Sequence, residues 1–263
     1  MTSPARPAIV LIHGLWLTPR SWEHWVERYT RRGYEVLAPA WPGMEIEVEA
    51  LRKDPSVMDG LGVTEIAEHY ATIIGRLDRR PIIVGHSFGG LVTQLLLGRG
   101  LGAAGVAIHP APIKGVRKLP ISSLRAAFPA LRLSKTVTLT PEQFRYCFTN
   151  TLMEEESLVA YHRYQVPGSR RPLIQAATAN LRRRAATEVD VRNGTRAPLL
   201  LIAGGADHTV PVSVVRAAYA LYYKSGAVTD YHEFPGRPHF TVGVPGWERV
   251  ADHAIVWAER QTS

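Results

Sequence analysis

The sequence predicts an α/β fold: about six mostly parallel strands flanked by helices, interrupted by a helical cap insertion. Three observations carry this. Short apolar runs alternate with helical patterns, as in successive βαβ units. The alternation halts for roughly 80 residues, far beyond an ordinary connecting loop. The third run ends in a glycine-flanked turn, Gly85-His86-Ser87-Phe88-Gly89, that opens onto an apolar helix.

The apolar runs are Ala8 to Ile12, Tyr34 to Ala38, Pro81 to Val84, Ala104 to Ile108, Pro198 to Ala203 and Val228 to Phe234. They give six candidate strands. Between the second and third, Ile66, Tyr70, Ile73, Ile74 and Leu77 recur at helical spacing behind Thr64, taken as the N-cap, with Glu65 in the first turn. Leu91, Val92, Leu95, Leu96 and Leu97 make a uniformly apolar helix that should be buried and end at Gly98.

The alternation stops after His109-Pro110-Ala111-Pro112 and resumes at Ala197-Pro198. Within the gap, Thr140-Pro141-Glu142-Gln143 supplies an N-cap, a proline at the first helical position and a capping-box glutamine, so a helix should run from Pro141 to about Asn150. Others should cover Glu154 to Tyr164 and Pro172 to Arg184. The expected organisation is therefore a core from residues 1–112 and 191–263, with a helical cap over 113–190.

Bulk properties narrow the class. Hydrophobic residues at 46% and charged residues at 21% are ordinary for a globular chain, and no apolar run approaches the roughly 20 residues of a transmembrane helix. The first apolar run, Ala8 to Ile12, is too short for a secretory h-region and has no small-residue cleavage site after it, so a cytoplasmic location is expected. Cys147 is the single cysteine, which excludes an intrachain disulfide and any CxxC site. Of the net charge of +8, the segment from Ile113 to Asp190 contributes +7, with 13 Lys/Arg against 6 Asp/Glu. No nucleic-acid-reading motif accompanies this charge, so it reads as a solvated basic face rather than a specific nucleic-acid site. Gly98-Arg99-Gly100-Leu101-Gly102 lies after a helix and before a strand, the reverse of a dinucleotide-phosphate turn.

The chemistry centres on Ser87. Ile82-Ile83-Val84 precedes and Gly90-Leu91 follows the G-x-S-x-G turn, placing a strand before it and a helix after it, as a nucleophile elbow requires. A serine hydroxyl is weakly nucleophilic and needs a base, itself oriented by an acid. Asp207, in the small-residue turn after Leu199 to Ala203, is the candidate acid, ahead of Asp190 and Asp230. His239, in the Pro/Gly loop after the last strand, is the candidate base. His13, His86 and His109 lie at strand ends before the acid, His232 and His253 lie within elements, and His208 adjoins Asp207 too closely, so each is set aside. The amide of Phe88, at the start of the helix, and that of Leu15, in His13-Gly14-Leu15-Trp16 after the first strand, are the expected oxyanion donors.

With these residues assembled, the chain resembles the α/β-hydrolase superfamily, in its cap-bearing branch of esterases, lactonases, C–C hydrolases and perhydrolases. The resemblance rests on His13-Gly14, Trp41-Pro42-Gly43, Gly85 to Gly90, Gly205-Ala206-Asp207 and Pro238-His239-Phe240, and covers roughly residues 8–112 and 197–258. It implies a serine hydrolase cleaving a carboxylic ester or lactone through an acyl-enzyme, with a small-molecule substrate and no metal or organic cofactor. The family's two leading strands have no counterpart here, so a sheet of order 2-1-3-4-5-6 is expected. Cofactor-free perhydrolysis and C–C bond hydrolysis on the same triad are the alternatives, followed by a non-catalytic ligand receptor and a binder of anionic surfaces. Trp16, Phe88, Phe144, Phe148, Leu152 and Met153 are the apolar candidates for the substrate pocket.

Overall fold

The computed structural model describes residues 6–118, 120–127 and 134–262. Residues 1–5, read above for targeting, lie outside these, as do parts of the expected cap range at 119 and 128–133.

Six strands form one wholly parallel sheet: β1 (Ile9–Ile12), β2 (Val36–Leu37), β3 (Ile82–His86), β4 (Ala104–Ile108), β7 (Leu199–Gly204) and β8 (Thr229–Phe234), in the order β2-β1-β3-β4-β7-β8. This is the order the sequence predicts. The four central strands β1, β3, β4 and β7 are buried along their whole length, which is why they read as unbroken aliphatic runs rather than alternating ones. β2, at the edge, shrinks to two paired residues.

Helices α1 (Glu23–Arg31), α2 (Val48–Lys53), α3 (Val63–Ile74), α4 (Phe88–Gly98), α9 (Val212–Leu221) and α10 (Trp247–Thr262) accompany the sheet. α3 begins one residue before Thr64: Gly62 takes the extended cap conformation, and the orphan amide of Val63 donates to Gln175 Oε1 at 2.9 Å. A partner distant in sequence thus replaces the local cap expected at Thr64. α4 is buried at all positions from Phe88 to Leu97 and ends at Gly98, where the sequence predicts, with Gly100 turning left-handed just beyond it.

Between β4 and β7 run α5 (Ile121–Ala127), α6 (Pro141–Phe148), α7 (Glu154–Tyr164) and α8 (Arg170–Ala177). The capping box at Thr140 and Gln143 is present with both hydrogen bonds. α8 is shorter than the expected Pro172 to Arg184, because Thr178 bonds back to the Ile174 carbonyl and Asn180 turns aside to the backbone at Gly115 and Val116. No pattern in the sequence marks β5 (Thr136–Val137) and β6 (Gly168–Ser169), a two-residue antiparallel ladder in this segment. No helix among the described residues is long and apolar enough to cross a membrane.

Candidate active site

The site grows out of the carboxyl ends of β1, β3, β4, β7 and β8. Ser87 sits between β3 and α4 with φ 56° and ψ −119°, a backbone conformation that side chains rarely adopt. Two glycines create the clearance for it. A Cβ on Gly85 would lie 2.1 Å from the Gly89 carbonyl oxygen, and one on Gly89 would lie 2.0 Å from that of Ile12. The elbow therefore needs glycine on both sides, and Ser87 is left almost buried at the floor of a cavity.

His239 follows β8 and reaches back to this serine. The Ser87 hydroxyl lies 3.0 Å from His239 Nε2, and His239 Nδ1 lies 2.7 Å from Asp207 Oδ2. In the resting arrangement Nδ1–H donates to the carboxylate and Nε2 accepts from the serine. The other carboxylate oxygen accepts the amides of Thr209 and Val210, both at 2.8 Å. Burial by itself would raise the Asp207 pKa, but the neighbouring His239 and the histidine contacts outweigh it, holding the group well below the usual carboxylate range. Asp207 is thus an anion at neutral pH.

Three further histidines surround this group. His13 is fixed as a neutral ring, Nδ1–H donating to the Gly14 carbonyl at 3.0 Å and Nε2 accepting the Trp41 amide at 3.2 Å. Burial lowers its pKa to about 4. His86 donates from Nε2 to the His239 carbonyl at 2.7 Å, so the backbone of His239 is held as well as its ring. His109, the first residue after β4, places Nδ1 2.8 Å from the same Asp207 oxygen that His239 uses. His208 points away, its ring against Tyr146 and Nδ1 3.2 Å from the Tyr146 carbonyl. Burial pushes the Cys147 thiol up to about 12, which leaves it no thiolate character to compete with Ser87.

By donor type, His109, Asp207 and His239 could bind a metal, and their ligand atoms lie within 4.8 Å of one another. Their spacing argues otherwise. Tetrahedral zinc would hold such atoms roughly 3.3 Å apart, whereas both imidazole nitrogens lie at 2.7 and 2.8 Å from one carboxylate oxygen, with His239 Nε2 turned to Ser87. These are proton-sharing distances.

Leu15 lies on the opposite wall, in the loop after β1. A Cβ on Gly14 would meet the Ser87 Cβ at 2.9 Å, so the loop passes directly over the serine. The Leu15 amide has no hydrogen-bond partner among the described residues. That of Phe88, at the first position of α4, has no carbonyl one turn earlier in the helix. Trp16 next to it has φ 65°, donates from Nε1 to the Val137 carbonyl at 2.9 Å and accepts the Val166 amide at 3.0 Å. The loop is thereby tied to the segment between β4 and β7.

The cavity above Ser87 has a volume of about 190 Å³. Its wall is largely apolar, with Ile113, Val116, Leu124, Leu173, Val210 and Val214 prominent. A larger cavity of about 630 Å³ lies on the other face of α8, lined by Lys135, Arg170, Arg171, Arg182 and Arg184. It contains no nucleophile paired with a base, so size does not decide the site. The reacting groups open into the smaller, apolar one.

The family model described as alpha/beta hydrolase family matches residues 9–253. The chain belongs to this family. Similar solved structures include a pyrethroid hydrolase from Sphingobium faniae JZ-2, 18% identical with a TM-score of 0.67, covering 96% of this chain and 97% of that one. A monoacylglycerol lipase from Paleococcus ferrophilus is 21% identical with a TM-score of 0.68, over 98% and 96% of the two chains. An extracellular α/β-hydrolase from a Paenibacillus species, described as sharing structural and functional homology with tobacco salicylic acid binding protein 2, is 19% identical with a TM-score of 0.68, over 96% and 98%. At such identities the likeness establishes the fold. No curated protein sequence matches the chain.

Within this alpha/beta hydrolase, Ser87, His239, Asp207, Leu15 and Phe88 converge as described. Of the expected pocket residues, Trp16 and Phe88 line the cavity over Ser87, whereas Phe144, Phe148, Leu152 and Met153 do not. Phe144 and Phe148 stack on each other with centroids 5.0 Å apart, and Phe148 meets the His239 ring edge-on at 5.1 Å. Phe148 packs against the histidine and Phe144 stacks behind Phe148, so neither faces the cavity. Leu152 is packed against the core and Met153 is 68% exposed, at the start of α7. The wall residues the sequence reading missed come from α8, α9 and the stretch 111–126, where aliphatic residues carry no pattern separating a cavity wall from core. The parts played by His86 and His109 were missed because they depend on three strand ends meeting in space.

Proposed function

We propose that this alpha/beta hydrolase is a serine hydrolase that cleaves carboxylic esters or lactones with an apolar acyl part. The observation that carries the reading is the continuous hydrogen-bonded series Ser87–His239–Asp207 opening into an apolar cavity. Ser87 Oγ attacks the substrate carbonyl carbon as its proton passes to His239 Nε2. The carbonyl oxygen, now carrying the negative charge, is received by the amides of Leu15 and Phe88, aided by the positive end of α4. His239 returns the proton to the leaving alkoxide as the C–O bond breaks, leaving an acyl group on Ser87. Water then attacks that ester, giving its proton to His239, and the acid departs as Oγ regains a proton.

The apolar wall favours acyl groups that gain from leaving water, by about 0.8 kcal/mol per buried methylene. Residues 113–190 act as a cap: Ile113, Val116 and Leu124 enclose the cavity from one side and Leu173 from α8 contributes another wall.

The test is covalent labelling by a fluorophosphonate, combined with hydrolysis of p-nitrophenyl esters of graded chain length. Labelling that maps to Ser87, with turnover lost in Ser87→Ala, is the expected result. A protein that neither labels nor hydrolyses would be a ligand receptor on this fold, and the reading would fall.

A further inference from the structure

We propose that His109 is a positioning residue for Asp207, gripping the carboxylate oxygen that also receives His239. The proposal rests on the hydrolase reading above only for its kinetic consequence. The grip itself is a matter of geometry.

His109 is set in place at some cost. Its φ is 46°, left-handed, a conformation that a residue with a Cβ rarely adopts. Its amide donates to the Ile202 carbonyl at 2.8 Å, extending the parallel β4–β7 ladder by one rung and fixing the chain as it leaves β4. Space for the ring exists only because residue 204 is glycine: a Cβ there would lie 2.2 Å from His109 Cε1. The ring is wholly buried, and neither nitrogen has a well-aligned hydrogen-bond partner among the described residues. Leaving such a group unpaired is unfavourable, a penalty that an aliphatic side chain would avoid.

What offsets this is the contact with Asp207. An imidazole nitrogen does not rest 2.8 Å from an anionic oxygen with its lone pair facing it, so Nδ1 carries the proton. The contact is oblique in the resting protein, the kind of geometry that tightens once substrate binds. Asp207 then has the Thr209 and Val210 amides on one oxygen and two imidazole N–H groups on the other. Its plane is fixed from both sides.

The ionisable groups around the ring are Asp207, His239 and His86, with Arg237 acting from the loop after β8. Burial lowers the His109 pKa more than Asp207 raises it, so the ring is neutral at neutral pH. It therefore donates a hydrogen bond without adding a cation that would compete with the charge forming on His239. By drawing on Oδ2, it weakens the pull of Asp207 on the His239 proton.

The test uses His109→Gly, which relieves the backbone and removes the ring, and His109→Asn, which tolerates the same φ and keeps an N–H near the Nδ1 position. For His109→Gly, kcat on p-nitrophenyl butyrate should fall about tenfold with KM unchanged, and the acidic limb of the rate profile should move up by about half a pH unit. His109→Asn should recover kcat to within about twofold of the parent. Independently of activity, the imidazole N–H proton of His239 should shift downfield in the NMR spectrum of folded His109→Gly, because Asp207 then accepts from one imidazole alone. An unchanged resonance and limb in both folded variants overturns the proposal, even if both are less stable. If the parent protein proves inert towards esters and fluorophosphonate, the hydrolase reading fails, and the resonance alone still decides whether His109 grips Asp207.

Discussion

His239 Nε2 lies 3.0 Å from Ser87 Oγ, although 152 residues separate the two in sequence. That distance gives the first prediction. Ser87→Ala should lower kcat/KM for p-nitrophenyl butyrate by at least about a thousandfold, with the far-ultraviolet spectrum unchanged. Asp207→Asn should lose a similar amount, since an amide nitrogen in place of Oδ2 would face the His239 N–H and drive the wrong tautomer.

The elbow glycines are a steric requirement rather than a flexible hinge. Gly89→Ala would place a methyl carbon 2.0 Å from the Ile12 carbonyl oxygen, inside the buried central sheet. Overpacking of this severity should cost about 3 kcal/mol or more. Chemical denaturation of the purified variant measures it, and a loss below about 1 kcal/mol would show that the backbone relaxes freely there.

The buried histidines predict a loss of stability in mild acid. His13 has a folded pKa of about 4, below its unfolded value of about 6.5, so the unfolded chain binds the extra proton first. Its contribution is complete above about pH 6.5, declines as pH falls towards 4 and is gone below that, a total of about 3 kcal/mol. His86 and His109, lowered for the same reason, act in the same direction. Urea denaturation at pH 7 and pH 5 should show the drop, and His13→Gln should reduce it.

Cavity shape should set chain-length preference. Leu173 on α8 lines the chamber over Ser87, and Leu173→Trp would occupy much of its 190 Å³. The ratio of kcat/KM for octanoate over acetate esters should fall at least about tenfold, as several methylenes lose their burial at about 0.8 kcal/mol each. An unchanged ratio would place the acyl group elsewhere.

What could be read from the sequence, and what could not, follows from the range of the interactions involved. The strands and the Ser87 elbow were legible because a parallel strand buried on both faces must be aliphatic along its length, and because the turn needs Gly85 and Gly89. The order of Ser87, Asp207 and His239 was legible because each stands at a strand end that the apolar runs already mark. The start of α3 was not, because its first amide is satisfied by Gln175 from α8 rather than by a neighbour. Phe144 and Phe148 have the composition expected of a pocket, but Phe148 packs on the His239 ring and Phe144 stacks behind Phe148. The role of His109 was illegible for a related reason: its closeness to Asp207 depends on the pairing of β4 with β7 and on the space left at Gly204.

The loop carrying the Leu15 amide is bonded through Trp16 to Val137 and Val166, both in the segment between β4 and β7 that is proposed above to cap the cavity. Any outward swing of that segment breaks two hydrogen bonds to the residue beside the oxyanion donor. On the hydrolase reading proposed above, displacing that segment to admit a bulky substrate would loosen the amide proposed to receive the charge. On that reading the two hydrogen bonds couple the segment to the reaction, so a mutation that frees it should penalise turnover even where it eases access.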